Sequence, residues 1–254
     1  MTSTICVIPA RMASGRFPGK PLKPLLGLAL VLHVYERCKM SKRLERIIIA
    51  TCDEEIKQAA EAYGAEVVMT ADTHPGCVDR TEEAIATAVP GIGDDDLVLM
   101  VQGDEVLVTA DSLEEMIDTY EKTRAPIINL ASRLIRQEDL EDPNTVKIVA
   151  GIDGRALYFS RSPIPSNFRL KDTPRYQQTG VVGFSADGLR RFGSLEQTPL
   201  ELVEHIDMMR AVENGLPVQV VFTERETIGV DTPTDLIRAE EMLNADPLTR
   251  RYLP

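Results

Sequence analysis

Short runs dominated by apolar residues recur through the first hundred positions, at Ile5–Ile8, Arg46–Ala50 and Leu97–Val101. None shows the polar alternation of a strand with one wet face. Strands that read this way are buried on both sides, which requires a parallel sheet covered by helices. The intervening segments supply the cover, with helices expected at about Glu54–Tyr63 and Asp79–Ala88 and another strand at Ala65–Met69. A chain of 254 residues is long enough to bury one full core of this kind. The first half therefore predicts an α/β fold with a mostly parallel sheet.

After Ala125-Pro126 the rhythm changes and strands follow one another more closely. They are expected at Ile127–Ala131, Val146–Ala150 and Ala156–Phe159, the last two joined as a hairpin by an Asp153-Gly154 turn. A Pro-rich, charged loop over Ser162–Gln178 offers either a substrate lid or a disordered stretch, and Val181–Phe184 returns to strand. A helix over Leu200–Asn214 is closed by Gly215-Leu216-Pro217, then come a strand at Val218–Phe222 and a helix over about Pro233–Asn244. The whole, 1–254, reads as one domain with a smaller mixed-strand lobe at about 127–200.

The loop after the first strand carries Arg11, Arg16 and Lys20 among small residues, with Ser14-Gly15 and Pro18-Gly19 as turns. It leaves the carboxyl end of its strand, where open α/β sheets place ligands. Cations beside closely approaching backbone N–H groups can wrap a polyphosphate. A solvated basic loop is the plainer reading, but three cations at the first strand–loop junction favour phosphate.

Two acidic segments complement it. Val101-Gln102-Gly103-Asp104-Glu105 follows a buried strand, so Asp104 faces the same sheet edge, and Gly103 would let the backbone approach a ligand. In Ile228-Gly229-Val230-Asp231-Thr232-Pro233, Asp231 or Thr232 can simply cap the last helix, with Pro233 in its first turn. Paired with Asp104, Asp231 would instead complete a Mg²⁺ site, because magnesium is held by one or two carboxylates plus substrate phosphates.

Several classes are disfavoured. A net charge of −12 argues against a general nucleic-acid or membrane-surface binder. No apolar segment approaches the roughly 18 residues of a membrane span, and the N-terminus lacks the apolar core of a signal peptide. Cys6, Cys38, Cys52 and Cys77 form no CxxC pair, which predicts reduced thiols and a cytoplasmic setting. His33 is expected to be structural or at the surface, His74 to sit on a solvated turn, and His205 to lie near an acceptor.

The string from Ile8-Pro9-Ala10-Arg11 to Ser14-Gly15-Arg16-Phe17-Pro18-Gly19-Lys20-Pro21-Leu22 closely resembles the opening of the 3-deoxy-manno-octulosonate cytidylyltransferases, the CMP-Kdo synthetases. The likeness continues in family order through Ile48-Ile49-Ala50-Thr51, Val101–Glu105, Asn144-Thr145-Val146-Lys147, Ala156–Arg161, Pro163-Ile164-Pro165 and Gly229–Pro233. It implies a Rossmann-like, glycosyltransferase-A-type fold, usually a homodimer. It also implies transfer of CMP from CTP to the anomeric hydroxyl of a sugar acid, with release of pyrophosphate.

Carried over by motif position, Ala10, Arg11, Arg16, Lys20, Val78, Arg80, Gln102 and Asp104 would surround the nucleotide, and Asp104 and Asp231 would hold Mg²⁺. Arg16, Lys20, Asp104 and Asp231 would carry the chemistry. Arg161, Gln178, Glu204 and Asp207 would face the acceptor, with Arg161 either grasping its carboxylate or serving as an interlobe ion pair. No side-chain general base is visible, so deprotonation is assigned to metal activation, aided by water or the substrate carboxylate.

The chain also departs from the family pattern. Gly76-Cys77-Val78-Asp79-Arg80 stands for Ser-Gly-Thr-(Asp/Glu)-Arg, and Val106 for a proline. Gln178 replaces a histidine, and Ile206-Asp207-Met208-Met209-Arg210 stands for Leu-Glu-Gln-Leu-Arg. Gln178 cannot carry charge and Met208 lacks an amide. These changes point to a different or smaller acceptor, such as another ulosonic acid or a small phosphonate, with drift in a true Kdo enzyme as the plainer alternative. Transfer of another nucleotide, or a catalytically silent nucleotide-binding regulator, are the remaining readings.

Overall fold

In the computed structural model, which describes residues 2–13, 15–170 and 173–253, the expected α/β core is present. Its strands and helices follow in the order β1 (Thr4–Pro9), β2 (Pro24–Leu25), β3 (Leu28–Ala29), α1 (Leu30–Cys38), β4 (Arg46–Thr51), α2 (Glu54–Tyr63), β5 (Glu66–Met69), α3 (Cys77–Ala88), β6 (Leu97–Val101) and α4 (Ala110–Thr123). The second half adds β7 (Ile127–Arg133), α5 (Gln137–Glu141), β8 (Lys147–Ala150), β9 (Ala156–Ser160), β10 (Tyr176–Ser185), α6 (Ala186–Gly193), α7 (Pro199–Glu204), α8 (Met208–Glu213), β11 (Val218–Thr223) and α9 (Pro233–Ala245).

The central sheet has the order β11-β7-β10-β6-β1-β4-β5. Pairing is parallel among β6, β1, β4 and β5 and between β7 and β11, whereas β10 runs antiparallel to both β6 and β7. The sheet is thus more mixed than the sequence suggests. β10 reaches past it, so that Tyr176 and Gln177 pair with β8, and the β8–β9 hairpin forms a smaller antiparallel lobe. One strand therefore belongs to both layers.

Burial follows the pleat. Cys6 and Ile8 of β1 and Leu97, Leu99 and Val101 of β6 pack on one face with α1, α4 and α9. Ile5 and Val7, with Val98 and Met100, pack on the other against α3, α6 and α8. Both faces of these strands are apolar because both are covered, and each large side chain so buried contributes about 1.5–3 kcal/mol.

Two expectations need correction. β10 begins at Tyr176 rather than Val181, which places Gln178 in a strand instead of a loop. Its polar start is held by backbone pairing with β7 and β8, a bond that hydropathy does not record. The expected helix over Leu200–Asn214 is two helices, broken at His205, whose φ of 56° is left-handed. Arg161 explains the break. Its Nε donates to the Glu204 carbonyl (2.8 Å) and a terminal nitrogen to the His205 carbonyl (3.1 Å), acceptors that a continuous helix would have used internally. Ser14, expected with Gly15 to turn the cationic loop, lies outside the described residues, as do Lys171 and Asp172 of the expected lid.

Candidate active site

The loop after β1 is closed on itself and tied to the neighbouring strand. Gly19 donates to the Met12 carbonyl (3.0 Å), Lys20 to the Phe17 carbonyl (3.2 Å), and Met12 to Asp53 at the end of β4 (2.7 Å). Gly19 has φ +72°, which a side chain would strain, and it starts a short 3₁₀ turn that opens with Lys20. Pro18-Gly19 therefore acts as the expected turn and delivers Lys20 inward.

Lys20 meets both predicted carboxylates. Its ammonium lies 2.5 Å from Asp104 Oδ2 and 3.3 Å from Asp231 Oδ1. Arg16 reaches Asp231 Oδ2 at 3.0 Å and donates to Asn144 at 2.5 Å. Burial would lower the Lys20 pKa, but Asp104 and then Asp231 outweigh it and hold it above the ordinary lysine value.

The chain brings the two aspartates together through backbone. Glu105 and Gly229 form an isolated antiparallel bridge, and Val230 donates to the Asp104 carbonyl at 3.3 Å. Thr232, not Asp231, caps α9: its hydroxyl accepts from Asp235 N (3.2 Å), and the Asp235 carboxylate answers at Thr232 N (2.8 Å). Asp231 is thereby left for Lys20 and Arg16.

Arg16, Asp104 and Asp231 open onto a cavity of about 510 Å³, while Lys20 lies buried behind the two carboxylates and is not among its lining residues. Arg16, Val78, Gln102, Asp104, Arg161, Gln178, Asp207 and Asp231 all line it, as does His205. Ala10 is buried at the end of β1, and Arg11 is exposed on the loop. Arg80 is 2% exposed and is not among the lining residues; one terminal nitrogen bonds Thr70 and the Ala71 carbonyl, while the other is buried without a partner.

Glu204 also stands back from the cavity. Its carboxylate accepts from Ser160 (2.8 Å), Tyr158 (3.2 Å) and Arg161 N (3.0 Å), so it braces β9 against α7. Arg161 itself donates to the carbonyls of Glu204, His205 and Pro143, which leaves only part of its five-donor fork for a ligand. Gly103 is used differently from expectation. It donates to the Pro9 carbonyl, and an added Cβ would lie 3.2 Å from that oxygen, so the missing side chain lets this loop sit against β1.

Residues that the motifs did not single out complete the site. Glu105 is buried and accepts from Gly180 N at 2.5 Å. Burial and the charge of Asp104 push its pKa up to about 7, against the pull of that N–H. The β10 bulge between Gln178 and Val182 carries Gly180 to this contact. Asn129, fully buried, accepts from the Gln178 amide at 2.8 Å and so fixes its orientation. A buried asparagine in β7 was a visible polar interruption in an apolar run, and was the available signal. Cys77 is pushed up to about 12 by burial and by Asp104 and Asp207, so it remains a thiol. Burial, then Glu201, raises the Asp207 pKa.

The donor set fits a hard divalent cation in part. Among the described residues no group of three or more His, Cys, Asp or Glu converges at metal-binding distance. Asp104 and Asp231, however, present oxygens to one shared ammonium, and two carboxylates with substrate phosphates are what magnesium commonly uses.

A lysine–carboxylate cluster beside a cationic loop at a parallel-sheet edge accompanies the likenesses that make the chain a nucleotidyltransferase. The chain belongs to the cytidylyltransferase family, whose profile matches residues 5–228, and within it to the 3-deoxy-manno-octulosonate cytidylyltransferases, or CMP-Kdo synthetases. It is 38% identical over 250 residues to the 3-deoxy-manno-octulosonate cytidylyltransferase of Thermodesulfovibrio yellowstonii, covering 95% of this chain and 98% of that one. It is 39% identical over 242 residues to the 8-amino-3,8-dideoxy-manno-octulosonate cytidylyltransferase of Shewanella sp. ANA-3, covering 94% and 98%. A solved structure of CMP:2-keto-3-deoxy-manno-octonic acid synthetase complexed with CTP superposes with a TM-score of 0.88 at 28% identity, over 96% of this chain and 99% of that one.

Proposed function

We propose that the protein transfers CMP from CTP to the hydroxyl of 3-deoxy-manno-octulosonate or a related sugar acid, releasing pyrophosphate, with Mg²⁺ held by Asp104 and Asp231. The observation that carries this reading is the cluster of Arg16, Lys20, Asp104 and Asp231, three of whose members, Arg16, Asp104 and Asp231, line one cavity together with Arg161, Gln178 and Asp207. The names of the relatives supply the acceptor class.

Arg16 and Lys20 would neutralise charge that builds on the departing pyrophosphate, a role of position rather than proton transfer. Magnesium, when bound, would acidify the attacking hydroxyl and neutralise the α-phosphate. Gln102 and the Gly180 bulge would hold the floor between nucleotide and acceptor. The free N–H groups of Arg161 would meet the acceptor carboxylate. Exposed Ile152 and Leu157 near the β8–β9 hairpin, with Leu202 and Val203 of α7, support a homodimer formed through the smaller lobe. The absence of any helix long and apolar enough to cross a membrane, among the described residues, is compatible with a cytoplasmic enzyme.

A second reading within the same chemistry has its own support. Met100, Val182, Ile206 and Met208 add apolar lining to the cavity, which favours an acceptor with fewer hydroxyls, another ulosonic acid or a small phosphonate. Pyrophosphate release with Mg²⁺, each of the four nucleoside triphosphates and a panel of ulosonic acids, sialic-type acids and phosphonates separates them. Release with CTP and 3-deoxy-manno-octulosonate establishes the first. Release only with another acid or a phosphonate establishes the second, and silence with CTP binding leaves a nucleotide-binding regulator.

A further inference from the structure

We propose that Lys20 is the resident counter-cation of the Asp104–Asp231 pair, and that a divalent cation gains the pair only when an anionic ligand draws the Lys20 ammonium away. This rests on the reading of the site as a triphosphate site. Lys20 differs from its loop neighbours: Arg11 and Arg16 are exposed, whereas Lys20 is only 9% exposed. Its ammonium touches Asp104 Oδ2 at 2.5 Å and Asp231 Oδ1 at 3.3 Å, so the space shared by the two carboxylates already holds a positive charge. Arg16 takes the other Asp231 oxygen at 3.0 Å.

Lys20 and Arg16 match Asp104 and Asp231 charge for charge, which weakens the pull of the two carboxylates on a lone metal ion. A divalent ion held by Asp104 and Asp231 would compete with the Lys20 ammonium for their carboxylate oxygens and would be repelled by its like charge. The backbone of Lys20 is pinned by its bond to Phe17, but its ammonium ends a flexible four-carbon stem. A triphosphate offers that ammonium and Arg16 a denser negative charge. Their departure would uncover the two carboxylates at the moment the nucleotide arrives. Metal and nucleotide would then favour each other's binding, and by linkage the coupling must be reciprocal.

The test uses Mn²⁺ as probe and water-proton relaxation enhancement, which separates protein-bound Mn²⁺ from Mn²⁺ on free CTP. Wild-type protein is expected to bind Mn²⁺ weakly alone and strongly with CTP. Lys20→Met should bind Mn²⁺ without CTP at least about tenfold more tightly than wild type, within the usual range of coupling between sites. Adding Asp104→Asn to that variant should abolish the gain. Thermal melting checks the fold of each, and Lys20→Gln replaces the methionine variant if that one does not fold. Wild-type protein that binds Mn²⁺ equally well with and without CTP overturns the proposal, whether or not any variant folds. So does a folded Lys20 variant that binds Mn²⁺ no better than wild type. Failure of every form to bind Mn²⁺, even with CTP, overturns the triphosphate-site reading itself and this proposal with it.

Discussion

Asp104 and Gln178 show what single side chains contribute here. Asp104 meets Lys20 at the end of β6, yet no strand or helix depends on its carboxylate. Asp104→Asn should therefore leave the melting temperature within a few degrees of wild type and lower pyrophosphate release by about a hundred- to a thousandfold, comparable to loss of other preorganised charge-stabilising groups. A comparable melt with unchanged turnover would remove Asp104 from the chemistry. Gln178 is held by Asn129, and Met208 lines the same cavity. If these two set the acceptor, Gln178→His with Met208→Gln should raise kcat/KM for 3-deoxy-manno-octulosonate relative to a rival acid by about tenfold, the scale of one good polar contact. An unaltered preference ratio would assign specificity elsewhere. Both positions were visible as departures from a motif. The role of Asn129 was not, because the bond that uses it joins residues 49 apart in the chain.

Elements carry the next level. The cap of α9 separates the roles of Asp231 and Thr232, so Thr232→Ala should cost about 0.5–2 kcal/mol of stability. It should also reduce turnover, since the loosened turn lets Asp231 swing from Lys20; denaturant melts and initial rates read the two effects separately. The break between α7 and α8 is secured by Arg210, which bonds Glu201 at 2.9 and 2.5 Å with both side chains buried. Removing one partner strands the other's charge, so Arg210→Met should destabilise by about 3–5 kcal/mol. Burial alone would raise the Glu201 pKa, but Arg210 and the Thr198 N–H hold it below the ordinary glutamate value. The sign follows: the unfolded chain binds the proton first as pH falls, so this stabilisation is present at neutral pH and is lost on acidification through the lowered folded-state pKa. Melts from pH 7 down to about 3 should show a smaller acid-induced loss in the variant than in wild type. The pattern of Leu200–Asn214 reads as one helix because its Leu, Glu, Met, Arg and Ala residues favour helix. The distant Arg161, taking two carbonyls, interrupts it.

At the scale of the molecule, the exposed apolar side chains near the β8–β9 hairpin and on α7 are the expected seam of a homodimer. Sedimentation should give twice the chain mass, and Leu157→Glu with Val203→Glu should return monomer while retaining the secondary structure. A wild-type monomer at micromolar concentration would remove the dimer. The α/β class and the position of the cationic loop at a strand end were legible in the sequence, because hydrophobic period and turn chemistry are local and each is written within about ten residues. The pairing of Asp104 with Asp231 was offered by the carboxylates magnesium needs and by the family likeness, beside the plainer reading of Asp231 or Thr232 as a helix cap. Tertiary structure decided the rest: that Thr232 takes the cap and frees Asp231, that Lys20 stands between the two acids, and that Arg161 and Glu204 largely serve the frame. Each of these depends on contacts between residues far apart in the chain, and a one-dimensional pattern cannot show which of several competent polar groups will find its partner first.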